Sequence, residues 1–122
     1  MAKSVLIIED NEHVREIFVS MLRSAGYEIL DAGTGTQGIE KALSAKPNLI
    51  LLDLDLPDMT GMDTARAIRK NSTTAHIPII ACSAWSGGEW REEALRAGMV
   101  EYLQKPIPSE LIKAKVREFI LP

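Results

Sequence analysis

The chain has 122 residues, which at roughly 150 residues per domain predicts one compact domain over residues 1–122 and no separate output domain. Lys and Arg number 14 against 17 Asp and Glu, and the net charge of −3 speaks against nucleic acid or an anionic membrane surface as the partner. Hydrophobic residues at 46% and charged residues at 25% are ordinary globular values, which excludes disordered, collagen-like and coiled-coil classes.

The first apolar run, residues 4–8 (SVLII), reads as a buried strand. With one lysine before it and two acids after it, it is too short for a signal peptide or a membrane span, so a cytoplasmic protein is expected. Asn11 is placed to cap a helix in which Val14, Ile17, Phe18, Met21 and Leu22 share one face, and Gly26 ends it. Residues 28–32 read as a second strand and 36–45 as a second helix. Residues 49–52 form a third strand, after which Thr60 is placed to cap a helix over 62–70. The sequon Asn71-Ser72-Thr73 is a chance match in such a compartment. The fourth strand, 77–82, contains the lone Cys82, which reads as a small core residue with no disulfide partner. A helix over 89–97 precedes Gly98, a fifth strand covers 100–103, and Ser109 is placed to cap a last helix over 109–119. Fivefold β-α alternation with short loops implies right-handed crossovers and an α/β, doubly wound, five-stranded parallel sheet.

Chemistry in such a sheet collects beyond the carboxyl ends of the strands. Those ends carry Glu9 and Asp10, then Asp53, Ser83 and Lys105, whereas the second strand ends in Ala32 and Gly33 with nothing reactive. Two carboxylates about 4 Å apart repel by roughly 4 kcal/mol at an effective dielectric near 20, so three acids at one mouth call for a cation or raised pKa values. Oxygen-only ligands at a partly open mouth suit Mg²⁺. A carboxylate can attack phosphorus to form an acyl phosphate, with the metal, a lysine and a hydroxyl neutralising the transferring group.

The segments IIEDNE, LLDLDLPDMTG, ACSAW and EYLQKPI, in that order, resemble the receiver domain of two-component response regulators over essentially the whole chain. The resemblance implies a flavodoxin-like fold with strand order 2-1-3-4-5. It implies that Asp53 is the phosphoacceptor, Asp10 a direct Mg²⁺ ligand, Glu9 a ligand through water, and the Asp55 backbone carbonyl a further ligand. Ser83 and Lys105 would contact the phosphoryl group, and Tyr102 would be the aromatic switch, entering from an exposed position as Ser83 moves. A cis Lys105-Pro106 bond is implied as well. The donor would be a phosphohistidine on a histidine kinase or a histidine phosphotransfer protein, and the output a changed contact with a target protein. Glu9 stands where Asp is more frequent in the family, and Ser83 where Thr is. Trp85 and Asp55 occupy the positions at which the family tunes phosphoryl lifetime.

Two rival readings use the same residues. Asp53-Leu54-Asp55 fits the D-x-D pair of a Mg²⁺-dependent phosphohydrolase of the haloacid dehalogenase type, although that pair normally sits on the first strand and a further acidic pair follows the lysine. A receiver-like adaptor that is never phosphorylated is the non-catalytic alternative, and the intact acid, hydroxyl and lysine set argues against it. Residues 33–38, GTGTQG, match the G-x-G-x-x-G dinucleotide fingerprint but follow an edge strand in a chain too short for a second half-fold. Asp58 with Gly61 reads as turn chemistry, His13 and His76 as surface residues, and Trp85 and Trp90 as partly buried beside the fourth helix.

Overall fold

The computed structural model describes residues 2–121. Five strands alternate with five helices: β1 (Ser4–Ile8), α1 (Glu12–Ser24), β2 (Glu28–Ala32), α2 (Gly35–Ala45), β3 (Leu49–Asp53), α3 (Gly61–Lys70), β4 (Ile79–Ser83), α4 (Gly88–Arg96), β5 (Glu101–Gln104) and α5 (Ser109–Phe119). The strands are all parallel and ordered β2-β1-β3-β4-β5, as the resemblance implies. The chain thus steps outward from β1 to β2 and then returns to the other side of β1. That reversal lies between β1 and β3, where parallel sheets open a crevice at their carboxyl ends.

Every residue of β3 and β4 is buried, which is why these strands read as continuous apolar runs rather than alternating ones. Successive side chains point to opposite faces and build two cores. Leu6, Ile8, Ile50, Leu52 and Ala81 face Ala42, Ala65, Ile68 and Ala94 of α2, α3 and α4. Val5, Ile7, Leu49, Leu51, Ile80 and Cys82 face Phe18, Leu22, Ile112 and Val116 of α1 and α5. Cys82 is buried, and that burial pushes its thiol up to about 12, consistent with an inert core role.

The helix ends follow local chemistry. Asn11 accepts from the Val14 N–H at 3.0 Å and Thr60 from the Asp63 N–H at 3.1 Å, as expected. Beyond α1, Gly26 has φ +101°, and the Tyr27 N–H reaches the Leu22 carbonyl, closing a Schellman turn. Ser109 is not a cap. Pro108 occupies the cap position without a side-chain bond, and its carbonyl takes the Leu111 and Ile112 N–H groups. The fourth strand begins at Ile79 rather than Ile77, because Ile77 donates to Thr74 in the preceding turn and Pro78 has no N–H for the ladder. The Lys105-Pro106 bond is cis.

Gly61 opens α3 where a Cβ would lie 2.7 Å from the Asp53 carbonyl oxygen and 2.7 Å from the Leu54 Cα. Backbone cannot yield as a side-chain tip can. Gly61→Ala is expected to cost about 1–3 kcal/mol in urea denaturation. Gly88→Ala, where nothing lies within 4 Å, is expected to gain up to about 1 kcal/mol.

Candidate functional site

Strand register assembles the site. β1 and β3 pair Ile8 with Leu52, so Glu9 and Asp53 stand level at the crevice. β3 and β4 pair Asp53 with Cys82, and β4 and β5 pair Ser83 with Gln104, so Ser83 and then Lys105 follow at the same rim. The acids meet: Glu9, Asp10 and Asp53 each offer a carboxylate oxygen within 4.8 Å of the others. Lys105 reaches across from the far side, its Nζ paired with Glu9 Oε1 and 3.8 Å from Asp53 Oδ1.

Glu9 is 2% exposed and Asp53 6%, whereas Asp10 is exposed. Glu9 is committed on both oxygens, since Oε2 accepts the Asn11 N–H at 3.2 Å. Burial and the neighbouring Glu9 charge push the Asp53 carboxyl up to about 7, against the pull of Lys105 and of the Asp55 N–H, which donates to Asp53 Oδ1 at 3.3 Å. Burial alone would depress Lys105, but its bond to Glu9 and the charge of Asp53 outweigh that and raise it. One ammonium therefore serves three carboxylates. The remaining deficit of positive charge, with hard oxygen donors and one exposed acid, fits a small divalent cation.

Ser83 is fully buried, and its Oγ accepts the Trp85 N–H at 3.0 Å. The carbonyl of the same Trp85 accepts the Tyr102 hydroxyl. Tyr102 pairs with Ala81, two residues before Ser83, so both side chains project from the same face of the sheet. The exposed ring expected for Tyr102 is not found: it is 9% exposed and packed in the core under α4, because its hydroxyl has an acceptor on the loop above. The indole of Trp85 stacks on Trp90 of α4 with centroids 4.6 Å apart, and both are half-buried.

A family profile described as "Response regulator receiver domain" matches residues 5–117. The chain belongs to this receiver family. It is 33% identical over 107 residues to the polar-differentiation response regulator DivK of Brucella anthropi, covering 88% of this chain and 87% of the relative. The chemotaxis protein CheY4 of Vibrio cholerae superposes with a TM-score of 0.94 at 27% identity, covering 98% of this chain and all of that one. The receiver domain of the sensor histidine kinase PA1611 from Pseudomonas aeruginosa PAO1 gives a TM-score of 0.91 at 32% identity, covering 98% of each chain. That structure holds a magnesium ion coordinated in its active-site cleft.

Membership in the receiver family leaves the phosphohydrolase reading without support. The Asp55 side chain is exposed and lies outside the carboxylate cluster, and its D-x-D pair sits at the end of β3 rather than β1. His13 and His76 are exposed, as expected. In the 33–38 segment the glycines serve packing: a Cβ on Gly38 would lie 2.4 Å from Ile8 Cδ1, and one on Gly35 2.4 Å from Met59 Cγ.

Three contributors to this receiver's site escape the sequence reading. Arg15 of α1 donates Nη1 to the Glu9 carbonyl at 2.8 Å and Nε to Asp31 at 3.2 Å, fixing the turn that presents the acid pair. The Trp85 backbone joins Ser83 to Tyr102, through its N–H on one side and its carbonyl on the other. Asp58 does more than form a turn, for it accepts three hydrogen bonds from the start of α2. None of these has a spacing signature in the sequence.

An Asp pKa raised on folding destabilises the protein above that pKa and ceases to do so below the unfolded value of about 3.9. In chelator at pH 8, Asp53→Asn is therefore expected to raise the melting temperature by about 4 °C or more, one pKa unit being about 1.4 kcal/mol. The gain should shrink as pH falls from about 7 toward 4. Equal melting temperatures at pH 8 would contradict the assigned electrostatics.

Proposed function

We propose that this receiver is a phosphorylation-operated switch in which Asp53 takes a phosphoryl group from a phosphohistidine on a histidine kinase or a histidine phosphotransfer protein. The observation that carries this is the meeting of a buried carboxylate with two further acids and a single lysine at the sheet's switch point. An Asp53 Oδ attacks phosphorus, the phosphorus–nitrogen bond of the donor breaks, and the imidazole leaves with the electron pair, giving an acyl phosphate on the aspartate. A buried carboxylate with a raised pKa is a poor anion by itself. Mg²⁺, held by Asp10, Asp53 and the Asp55 carbonyl directly and by Glu9 through water, would keep it ionised and offset the charge of the transferring group. The exposed side chain of Asp10 and the fully engaged one of Glu9 support that division between direct and water-mediated ligands.

Lys105 is poised to shift from Glu9 toward the new phosphoryl oxygens. Ser83 is poised as the hydroxyl donor. A phosphoryl group adds about −1.5 to −2 charge and three strong acceptors, and the Ser83 O–H can turn toward it. The backbone of Trp85, held by Ser83 on one side and Tyr102 on the other, then registers the change. Its indole carries that change to Trp90 and α4, so the altered surface is built from α4, β5 and α5, where a downstream target protein docks. Arg91, Glu101 and Lys115 span those three elements in a chain of ion pairs at 3.3 and 3.1 Å.

With acetyl phosphate or phosphoramidate, label is expected on Asp53 alone, and only with Mg²⁺; mapping of label to Asp55, or labelling in chelator, contradicts the assignment. Asp10→Ala should weaken Mg²⁺ binding more than Glu9→Ala does, because a direct ligand is lost rather than an outer one. Ser83→Ala and Tyr102→Phe should still accept phosphate while reducing a target's preference for the phosphorylated form by about tenfold, which corresponds to roughly 1.4 kcal/mol. Unaltered preference in both variants, measured by pull-down, places the output on another face.

A further inference from the structure

The glycine-rich turn before α2 resembles a phosphate-binding loop, yet the anion at its N–H groups is supplied by the chain itself. Asp58 Oδ1 accepts the Gly35 N–H at 2.8 Å, and Oδ2 accepts the Thr36 N–H at 2.9 Å and the Thr36 hydroxyl at 2.7 Å. These bonds draw its carboxyl down to about 2, with the Thr36 hydroxyl the largest contributor. The helix does not need a distant residue to cap it. Thr34 already accepts the Gln37 N–H at 3.0 Å, and Gln37 Oε1 accepts the Gly33 N–H at 3.2 Å.

What Asp58 does hold is its own loop. Residues 55–60 leave the end of β3 and are closed at the base by the Asp55–Thr60 bridge and by the Gly61 N–H bonded to the Leu54 carbonyl at 2.9 Å. Asp58 stands near the tip, with an exposed side chain that fills no core. Its bonds cross 22 and 23 residues of sequence to reach α2. At the base of the same loop the Asp55 N–H holds the Asp53 carboxylate. The loop is thus fixed at both ends, and its near end is the phosphoacceptor's own hydrogen-bond donor.

We propose that Asp58 is a positioning residue for the metal and phosphoryl site: by pinning the 55–60 loop to the N-terminus of α2, it sets the Asp55 backbone, whose N–H orients Asp53 and whose carbonyl supplies the backbone ligand. The part concerning the ligand rests on the function proposed above. The part concerning Asp53 orientation rests on the hydrogen bonds alone.

The test uses the full chain as wild type, Asp58→Ala, the milder Asp58→Asn, and Thr34→Ala as a control that loosens the same helix end without touching the loop. Amide hydrogen exchange at Asp55 is read in chelator, and Mg²⁺ affinity by titration of tryptophan fluorescence or heat. Asp58→Ala is expected to speed Asp55 exchange and weaken Mg²⁺ binding by about tenfold each. Asp58→Asn should fall between it and wild type, since one amide oxygen remains to accept. Thr34→Ala should change both by less than twofold while lowering the melting temperature. Equal Asp55 exchange in the Asp58 variants and Thr34→Ala overturns the proposal, as does faster exchange with unchanged Mg²⁺ affinity. If wild type binds no Mg²⁺, or Asp10→Ala leaves binding intact, the metal reading falls, and the exchange rates still decide whether Asp58 orients the Asp53 loop. Should Asp58→Ala not fold, Asp58→Asn against Thr34→Ala carries the same comparison.

Discussion

The lysine ammonium between Glu9 and Asp53 is the interaction on which the rest of the site depends. Lys105 closes the mouth of the sheet by pairing with Glu9 and lying 3.8 Å from Asp53, but it cannot balance three carboxylates alone. Removing charges from water costs several kcal/mol per ion unless each finds a partner. The fold therefore holds an acidic centre short of positive charge, and the burial that sharpens this comes from the two cores beneath it. Glu9 and Asp53 continue the β1 and β3 runs on the α1 and α5 side, where Ile7 and Leu51 precede them in the core. Glu9 and Asp53 are presented by the buried central strands of the sheet.

The same sheet separates the Glu9–Asp53 pair from Ser83 and Tyr102. Ser83 and Tyr102 belong to the other face, with Ala81 and α4, and meet through the backbone of one residue of the β4–α4 loop, Trp85. A hydrogen bond at each end of Trp85 ties that loop to both side chains, and a buried N–H or C=O left without a partner costs about 1–3 kcal/mol. The stacked indoles extend this link to α4. On the opposite flank the loop after β3 is held by Asp58. Asp53 thus lies between the β4–α4 loop, tied to Ser83 and Tyr102, and the loop after β3, tied to α2 by Asp58.

Much of this was legible in the sequence because it follows from periodicity and strand ends. The runs that became β1, β3 and β4 had no other reading, and the reactive residues occupy the last positions of strands or the positions just after them. The strand order needed the resemblance, since hydrophobic patterning does not say on which side of β1 the third strand adds. Caps were readable where a side chain acts within its own turn, as at Asn11 and Thr60, and not at Ser109, where Pro108 holds the cap position and only its backbone carbonyl takes helical N–H groups. The contacts made by Arg15, by the Trp85 backbone and by Asp58 were invisible for one shared reason. Each joins a side chain to another residue's backbone, and in the case of Asp58 the partners are 22 and 23 residues away. The buried position of Tyr102 likewise depends on where a loop carbonyl points.

Whether the mouth is short of positive charge until a cation enters is decided by titrating the Asp53 side-chain carboxyl by carbon NMR, with and without Mg²⁺. An inflection near 7 is expected in chelator, falling into or below the ordinary Asp range near 3.9 when Mg²⁺ is present. An Asp53 that titrates near 3.9 in chelator and is unmoved by Mg²⁺ would contradict that shortage.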